Sequence, residues 1–280
     1  MRIDLHTHSN RSDGTDNPTE LIENAKAAGL DVVAITDHDC TEGWREASEA
    51  AKRVGIVLVR GIEISCRLDG KSIHLLGYEF DPDDVPLVAE LKRVIDGRNS
   101  RLPATLERLR GLGIDIEAKD VRRWSGNAAA MGRPHIADAL VELGVVANRD
   151  EAFDRFLMPG KPAYVERYAA DLYEAIGLVN DAGGASVIAH PWSRGSQKVL
   201  TANTFPKLKE AGLTGIEVDH NDHDPEARAG LRQIARDLDF VQTGSSDYHG
   251  TGKIDFDLGC NLTSREQYEL LFERRSTPRT

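Results

Sequence analysis

Up to Glu63 the chain runs three times from a short apolar strand into a polar stretch, and a helical pattern follows the first two. Ile3 and Leu5 lead into His6-Thr7-His8, V-V-A-I within Asp31–Thr36 into Asp37-His38-Asp39, and Ile56–Val59 into Gly61-Ile62-Glu63. The first intervening helix is punctuated clearly. Asn17 can cap it, Pro18 takes the first helical position, Glu20 completes a capping box, and Gly29 stops the stripe Leu21, Ile22, Ala25, Ala28. The second can start from Thr41, carries Trp44, Ala47, Ala51 and Val54, and stops at Gly55. Alternating strands and helices predict a parallel sheet, and over 280 residues its natural form is a closed α/β barrel. Chemistry in such barrels sits at the carboxyl ends of the strands.

A strand over Ser72–Phe80, with His74 near its start, precedes a change of composition. From residue 83 to 163 the pattern is helical and arginine-rich, with apolar segments Val88–Ile95, Leu102–Leu109, Ile136–Val141 and Phe153–Leu157. We read this as a mostly helical insertion, with Gly97 and Pro103 expected to break its first helices, inside a barrel made of residues 1–82 and 164–280. The barrel pattern then resumes. A helix starts at Asp171, the strand Ala185–Ala189 ends in His190-Pro191, and a helix spans Phe205–Ala211. A strand over Gly215–Val218, a helix over Pro225–Leu238 and a strand over Phe240–Thr243 follow, with Ser245-Ser246-Asp247-Tyr248-His249 after the last. The tail Arg274–Thr280 reads as frayed.

Side chains two apart on a strand share a face, so His6 and His8 point the same way and could serve one cation. Two unrelated histidines near a chain end are the plain alternative for that pair alone. Strand ends also carry His38, Glu63, His190, Asp247 and His249, with Asp13 on the first loop and His74 on a strand. Six of nine histidines and three carboxylates on one rim would be costly to gather without cations. Imidazole and carboxylate without thiolate suit manganese, iron or zinc. Three such ions would outweigh the three carboxylates and attract a phosphate. In the insertion, Gly132-Arg133-Pro134-His135 opens a helix with free amides beside an arginine and a histidine, which is an anion site or a capped surface helix with a solvated arginine.

The ordered segments D-L-H-T-H-S, T-D-H-D, G-I-E-I-S, H-L-L-G-Y, I-A-H-P and S-D-Y-H, with G-R-P-H-I-A and P-G-K-P-A-Y-V in the insertion, resemble the motifs of the PHP (polymerase and histidinol phosphatase) superfamily. The likeness spans nearly the whole chain and is strongest to its stand-alone trinuclear phosphoesterases, which act on nucleoside 3′,5′-bisphosphates and short 5′-phosphorylated RNA. It implies a distorted (β/α)7 TIM-like barrel and three divalent ions. The first ion would be held by His6, His8, Glu63 and Asp247. The second would share Glu63 and add His74 and His190, and the third would take Asp13, His38 and His249. Many relatives carry a histidine where Asp13 stands. Attack by a metal-bound hydroxide would then depend on His6, His8, Glu63, Asp247 and His249. The resemblance assigns substrate phosphate to Arg133, His135, Arg194 and His223, although Arg194 stands one residue further from Pro191 than the arginine of many relatives.

Two other readings compete. An amidohydrolase-type C–N hydrolase also opens with H-x-H, but T-D-H-D and the arginines of the insertion favour phosphate. A non-catalytic metal-binding or interaction module should lack ligands, and all nine are present. The net charge of −11 speaks against long duplex nucleic acid as a partner. No apolar run suits a membrane span. Cys40, Cys66 and Cys260 lack paired spacing, and the chain opens directly on a strand, so a cytoplasmic protein without signal peptide is expected. Gly250-Thr251-Gly252-Lys253 lacks P-loop spacing, and no G-x-S-x-G elbow occurs.

Overall fold

The computed structural model describes residues 1–275. Its sheet contains strands β1 (Ile3–Asp4), β2 (Val32–Ile35), β3 (Val57–Leu68), β4 (Lys71–Tyr78), β6 (Ala185–Ala189), β7 (Gly215–Asp219) and β8 (Val241–Gly244) in that order, with β5 (Ala170–Asp171) paired beside β3. A parallel bridge from Thr7 to Tyr248, backed by the His8 amide donating to the Tyr248 carbonyl at 2.8 Å, brings the first strand against the last. The result is a nearly closed barrel of seven strands. Strand faces explain the sequence pattern. Val32, Ala34, Val59, Leu76, Val187 and Val241 fill the interior, while Val33, Ile35, Ile62, Ile188 and Ile216 pack outward under the helices. Strands covered on both faces read as continuous apolar runs. The opening strand is likewise buried on both faces, and Asp4 accepts from the amides of Ser246 and Gly259 at 3.0 and 2.9 Å.

The parallel expectation fails at one place. β4 runs antiparallel to both β3 and β6. Val57–Val59 and Gly61–Glu63 belong to one long strand, with Ile56 just before it, and that strand returns through Asp69-Gly70, both with positive φ (46° and 76°), the geometry of a tight hairpin turn. This reversal places His74, near the start of β4, at the rim where the other strands end.

Helices α1 (Pro18–Ala27), α2 (Trp44–Val54), α7 (Leu172–Asp181), α8 (Phe205–Glu210), α9 (Pro225–Asp237) and α10 (Arg265–Glu273) surround the barrel. The Asn17 capping box forms as expected, whereas Thr41 accepts the Trp44 amide only through its carbonyl. Between β4 and β5 lie α3 (Val85–Gly111), α4 (Ala118–Ser125), α5 (Arg133–Glu142), α6 (Arg149–Ala152) and a π-helical turn at Phe153–Leu157. Here a second expectation is corrected, because α3 passes unbroken through Gly97 and Pro103. A Cβ at Gly97 would meet Tyr168 Cβ at 2.9 Å, so that glycine serves close packing rather than termination. Around Pro103, Leu102, Leu106 and Leu109 are anchored in a separate apolar core with Ile136, Leu140, Phe156 and Leu157, which offsets the backbone hydrogen bond a proline forfeits. Arg274, expected to fray, donates to the Asp239 carbonyl at 2.7 Å and its carboxylate at 2.8 Å, and residues 276–280 lie outside the described part. No helix among the described residues is long and apolar enough to cross a membrane.

Candidate metal centre

The polar residues after β1, β2, β6 and β8, together with Glu63 on β3 and His74 on β4, converge on one buried cluster. Glu63 is its hub. Its carboxylate lies 3.4 Å from His6 Nε2, 3.2 Å from His8 Nε2, 3.0 Å from His38 Nδ1, 2.6 Å from His74 Nδ1 and 3.1 Å from His190 Nε2. Asp247 Oδ1 reaches His6 and His8 Nε2 at 3.5 and 3.4 Å. On the far side Asp13 lies 3.7 Å from His38 Nε2 and 3.4 Å from His249 Nε2. All nine residues picked out as ligands are therefore brought together. Their donor atoms form four overlapping groups: His6, His8 and Glu63; His6, His190 and Asp247; His38, Glu63 and His74; and His8, Asp13, His38 and His249. His190 and Asp247 hold positive φ, 29° and 54°, a strained conformation that aims both side chains inward.

Electrostatics fit a cation. Burial works to raise the pKa of Glu63, yet His38, His74 and His6 outweigh it and hold the carboxyl well below its usual range. Asp13 behaves the same way through His38 and His249. Burial disfavours charge on His6, but Asp247, Glu63 and Glu217 overcome it and raise its pKa well above normal. Burial lowers the pKa of His38, His190 and His249, which keeps those rings neutral, the form in which imidazole binds a metal. Asp13 Oδ1 and His38 Nδ1 are buried without a hydrogen-bond partner, as ligand atoms aimed at an ion would be. The residues present fit a divalent metal.

Several supporting residues escaped the sequence reading. Glu217 on β7 accepts from His6 Nδ1 at 3.2 Å and from the His190 amide at 2.8 Å, which fixes the His6 ring with Nε2 inward. His220, the first residue after β7, accepts the Asp222 amide on Nδ1 at 3.0 Å, so its Nε2 carries the proton and donates to Asp247 Oδ2 at 3.2 Å. Lys253 also pairs with that oxygen. The rule that found the other ligands, a histidine at a strand end, points to His220. His223, which the resemblance assigns to substrate phosphate, stands three residues further on. Its Nδ1 donates to the Val218 carbonyl at 2.9 Å and its Nε2 accepts the Trp192 amide at 3.3 Å, which leaves no ring nitrogen free.

The insertion meets this cluster at a small pocket lined by Ser12, Asp13, His38, Arg98, Gly132 and His135. His135 Nδ1 accepts the Gly132 amide at 3.0 Å, so its proton sits on Nε2. Arg133 donates to the Leu157 carbonyl at 3.1 Å, with its guanidinium 5.5 and 5.8 Å from the rings of Phe153 and Tyr164. Arg194 is exposed and near enough to Arg133 for the two charges to interact.

Residues 4–157 match the family model described as PHP domain. The chain is 36% identical over 264 residues to a 3′,5′-nucleoside bisphosphate phosphatase of Chromobacterium violaceum, covering 92% of this chain and 90% of that one. It is 34% identical over 248 residues to a 5′-3′ exoribonuclease of Haemophilus influenzae, covering 89% and 90%. A crystal structure from Bifidobacterium adolescentis, assigned as a metal-dependent phosphoesterase, superposes with a TM-score of 0.93 at 35% identity, over 97% of this chain and 96% of that one. With a rim of buried histidines and carboxylates at the strand ends of a matching barrel, this chain belongs to the PHP-domain family of metal-dependent phosphoesterases.

Proposed function

We propose that the protein holds three divalent ions, manganese, iron or zinc, and hydrolyses phosphate esters of small nucleotides. The substrates would be nucleoside 3′,5′-bisphosphates, short 5′-phosphorylated oligoribonucleotides, or both, by analogy with the relatives named above. The observation that carries this reading is Glu63, one buried carboxylate in reach of five imidazoles, which suits a ligand shared between ions. His6, His8, Glu63 and Asp247 would hold the first ion, Glu63, His74 and His190 the second, and Asp13, His38 and His249 the third. The observed groups support this division, with His8 additionally close to the third set and His190 to the first. Bound divalent ions lower the pKa of water and neutralise phosphate oxygens.

The chain's own groups bind and orient. Glu217 and His220 hold His6 and Asp247 in position. In this reading residues 83–163 act as a lid over the barrel mouth. Its Arg133 guanidinium and His135 Nε2–H donate to substrate phosphate, and Arg194 adds positive charge at the rim. Three free cysteines, two of them buried, suit a reducing cytoplasm. The test is a phosphate-release screen of manganese-loaded protein against mononucleotides, nucleoside 3′,5′-bisphosphates and 5′-phosphorylated oligoribonucleotides. Turnover of the last two supports the proposal; release from none of them overturns it.

A further inference from the structure

We propose that Arg149 is a positioning residue for the third metal site and makes that site depend on the insertion being seated on the barrel. This inference rests on the three-ion reading above, and it gives Arg149 no contact with ion or substrate. Asp13 stands in the loop between β1 and α1, and His249 in the stretch that follows β8. The two segments are joined edge to edge. The Thr15 amide donates to the His249 carbonyl at 3.1 Å, and the Thr251 amide donates to Thr15 Oγ1 at 3.0 Å. Ladder pairing fixes Glu63 and His74 within their strands, but it does not extend to Asp13. The barrel holds the residue before it, where Ser12 Oγ donates to Asp37 at 2.7 Å. The insertion holds Asp13 itself.

Arg149 opens α6 and spans both segments. Its Nε and Nη2 donate to the two oxygens of Asp138 on α5, at 2.6 and 2.7 Å, a fork that fixes the plane of the guanidinium. Nη1 is left to donate to the carbonyls of Asp13 at 3.4 Å and Gly252 at 3.2 Å. One charged group thus ties together the main chain of one ligand, the loop just after a second ligand and a helix of the insertion. Its seat is fitted. The Arg149 side chain is only 16% exposed, and a Cβ at Gly252 would come within 2.9 Å of its Cζ. The insertion touches the same loop once more, where the Ala129 amide donates to the Arg11 carbonyl at 3.0 Å. With its backbone held, Asp13 keeps Oδ1 buried and without a hydrogen-bond partner, free for a cation. Groups that orient a ligand are typically worth about ten- to hundredfold in metal affinity. By linkage, an ion held by Asp13 and His249 must in turn hold the insertion down.

The experiment measures manganese affinity by chelator competition, and amide hydrogen exchange, in wild type, Arg149→Met and Gly252→Ala. The second variant displaces the guanidinium from the barrel side while Arg149 and Asp138 stay in place. Each variant should weaken one ion of three by roughly ten- to hundredfold and leave the other two as in wild type. Arg149→Lys should recover little, because an ammonium cannot form the fork and reach both carbonyls. In wild type, manganese should slow exchange over residues 133–152; in Arg149→Met and in Asp13→Ala that slowing should vanish. Unchanged affinity for all three ions, an equal loss at all three, or the same manganese-dependent slowing in Arg149→Met as in wild type would overturn the proposal. If wild type takes up fewer than three ions, the three-ion reading fails. Exchange over residues 9–17 in the metal-free proteins, expected to be at least about tenfold faster in Arg149→Met, then decides whether Arg149 holds the Asp13 loop, and equal rates would overturn that.

Discussion

Two surfaces face each other across the small pocket, and their charge problems are opposite. On the barrel side, Asp13, Glu63 and Asp247 are buried carboxylates packed among histidines. On the insertion side, Arg98 pairs with Asp39 at 2.6 Å, while Arg133 donates to the Leu157 carbonyl at 3.1 Å. In the function proposed above, cations complete the first surface and a substrate phosphate meets the second. They also differ in construction. The barrel residues stand at the ends of buried strands whose register is fixed by pairing, whereas the arginines stand on helices of the insertion.

The largest expected effect tests the hub of the barrel side. Glu63→Gln should lower kcat/KM by roughly a thousandfold or more, the scale of several kcal/mol of transition-state charge stabilisation, and elemental analysis should find more than one ion lost. Asp13→Ala should lose one ion and leave the others. If the two variants lose the same metal, the division of ligands between the two sides of Glu63 is wrong. Next comes Glu217→Gln, which removes the acceptor that fixes His6. Metal affinity, measured by competition with a chelator, should fall about ten- to hundredfold with the fold intact by circular dichroism.

On the insertion side, Arg133→Ala should leave metal content unchanged while kcat/KM falls by about one to two decades, with Arg133→Lys recovering only part. A metal loss in Arg133→Ala would erase the contrast between the surfaces. The smallest effect concerns His135. Burial lowers its pKa below the free value, so the folded chain holds the ring neutral through the pH range in which the unfolded chain's histidine titrates. Through that range the unfolded chain takes up the proton first, which costs stability as pH falls. His135→Gln keeps an N–H near the Nε2 position, so kcat/KM should drop by a constant factor below about tenfold between pH 6.5 and 8. A pH-rate profile whose acid limb moves in this variant would show that His135 titrates instead.

The contrast in construction also governs what the sequence makes legible. His6 and His8 are adjacent in space because alternation on one strand makes them so, and Nε2 to Nε2 they lie 3.1 Å apart. Strand-end placement found His38, His190, Asp247 and His249 by the same local rule. Glu217 was missed because an acid inside an apolar strand gives no sign of which face it occupies until the barrel closes. His220 was passed over for His223, three residues later, although only His220 directly follows the strand. The antiparallel β4 was hidden in an Asp-Gly pair that was not read as a hairpin turn. Arg149 and Asp13 are 136 residues apart, and no periodicity links them.

The unbroken course of α3 has a consequence for modularity. Its first half sets Leu87, Leu91 and Val94 into the barrel's own core, and its second half sets Leu102, Leu106 and Leu109 into the core of the insertion. At 27 residues it is a strut about 40 Å long that belongs to both. The insertion is therefore not a detachable cassette. Excised, it would expose three leucine-class side chains to water; transplanted onto another barrel, it would need a matching apolar groove along the whole height of the wall. Variation within such an insertion has to come through its loops and surface, because its longest helix is also part of the barrel's packing.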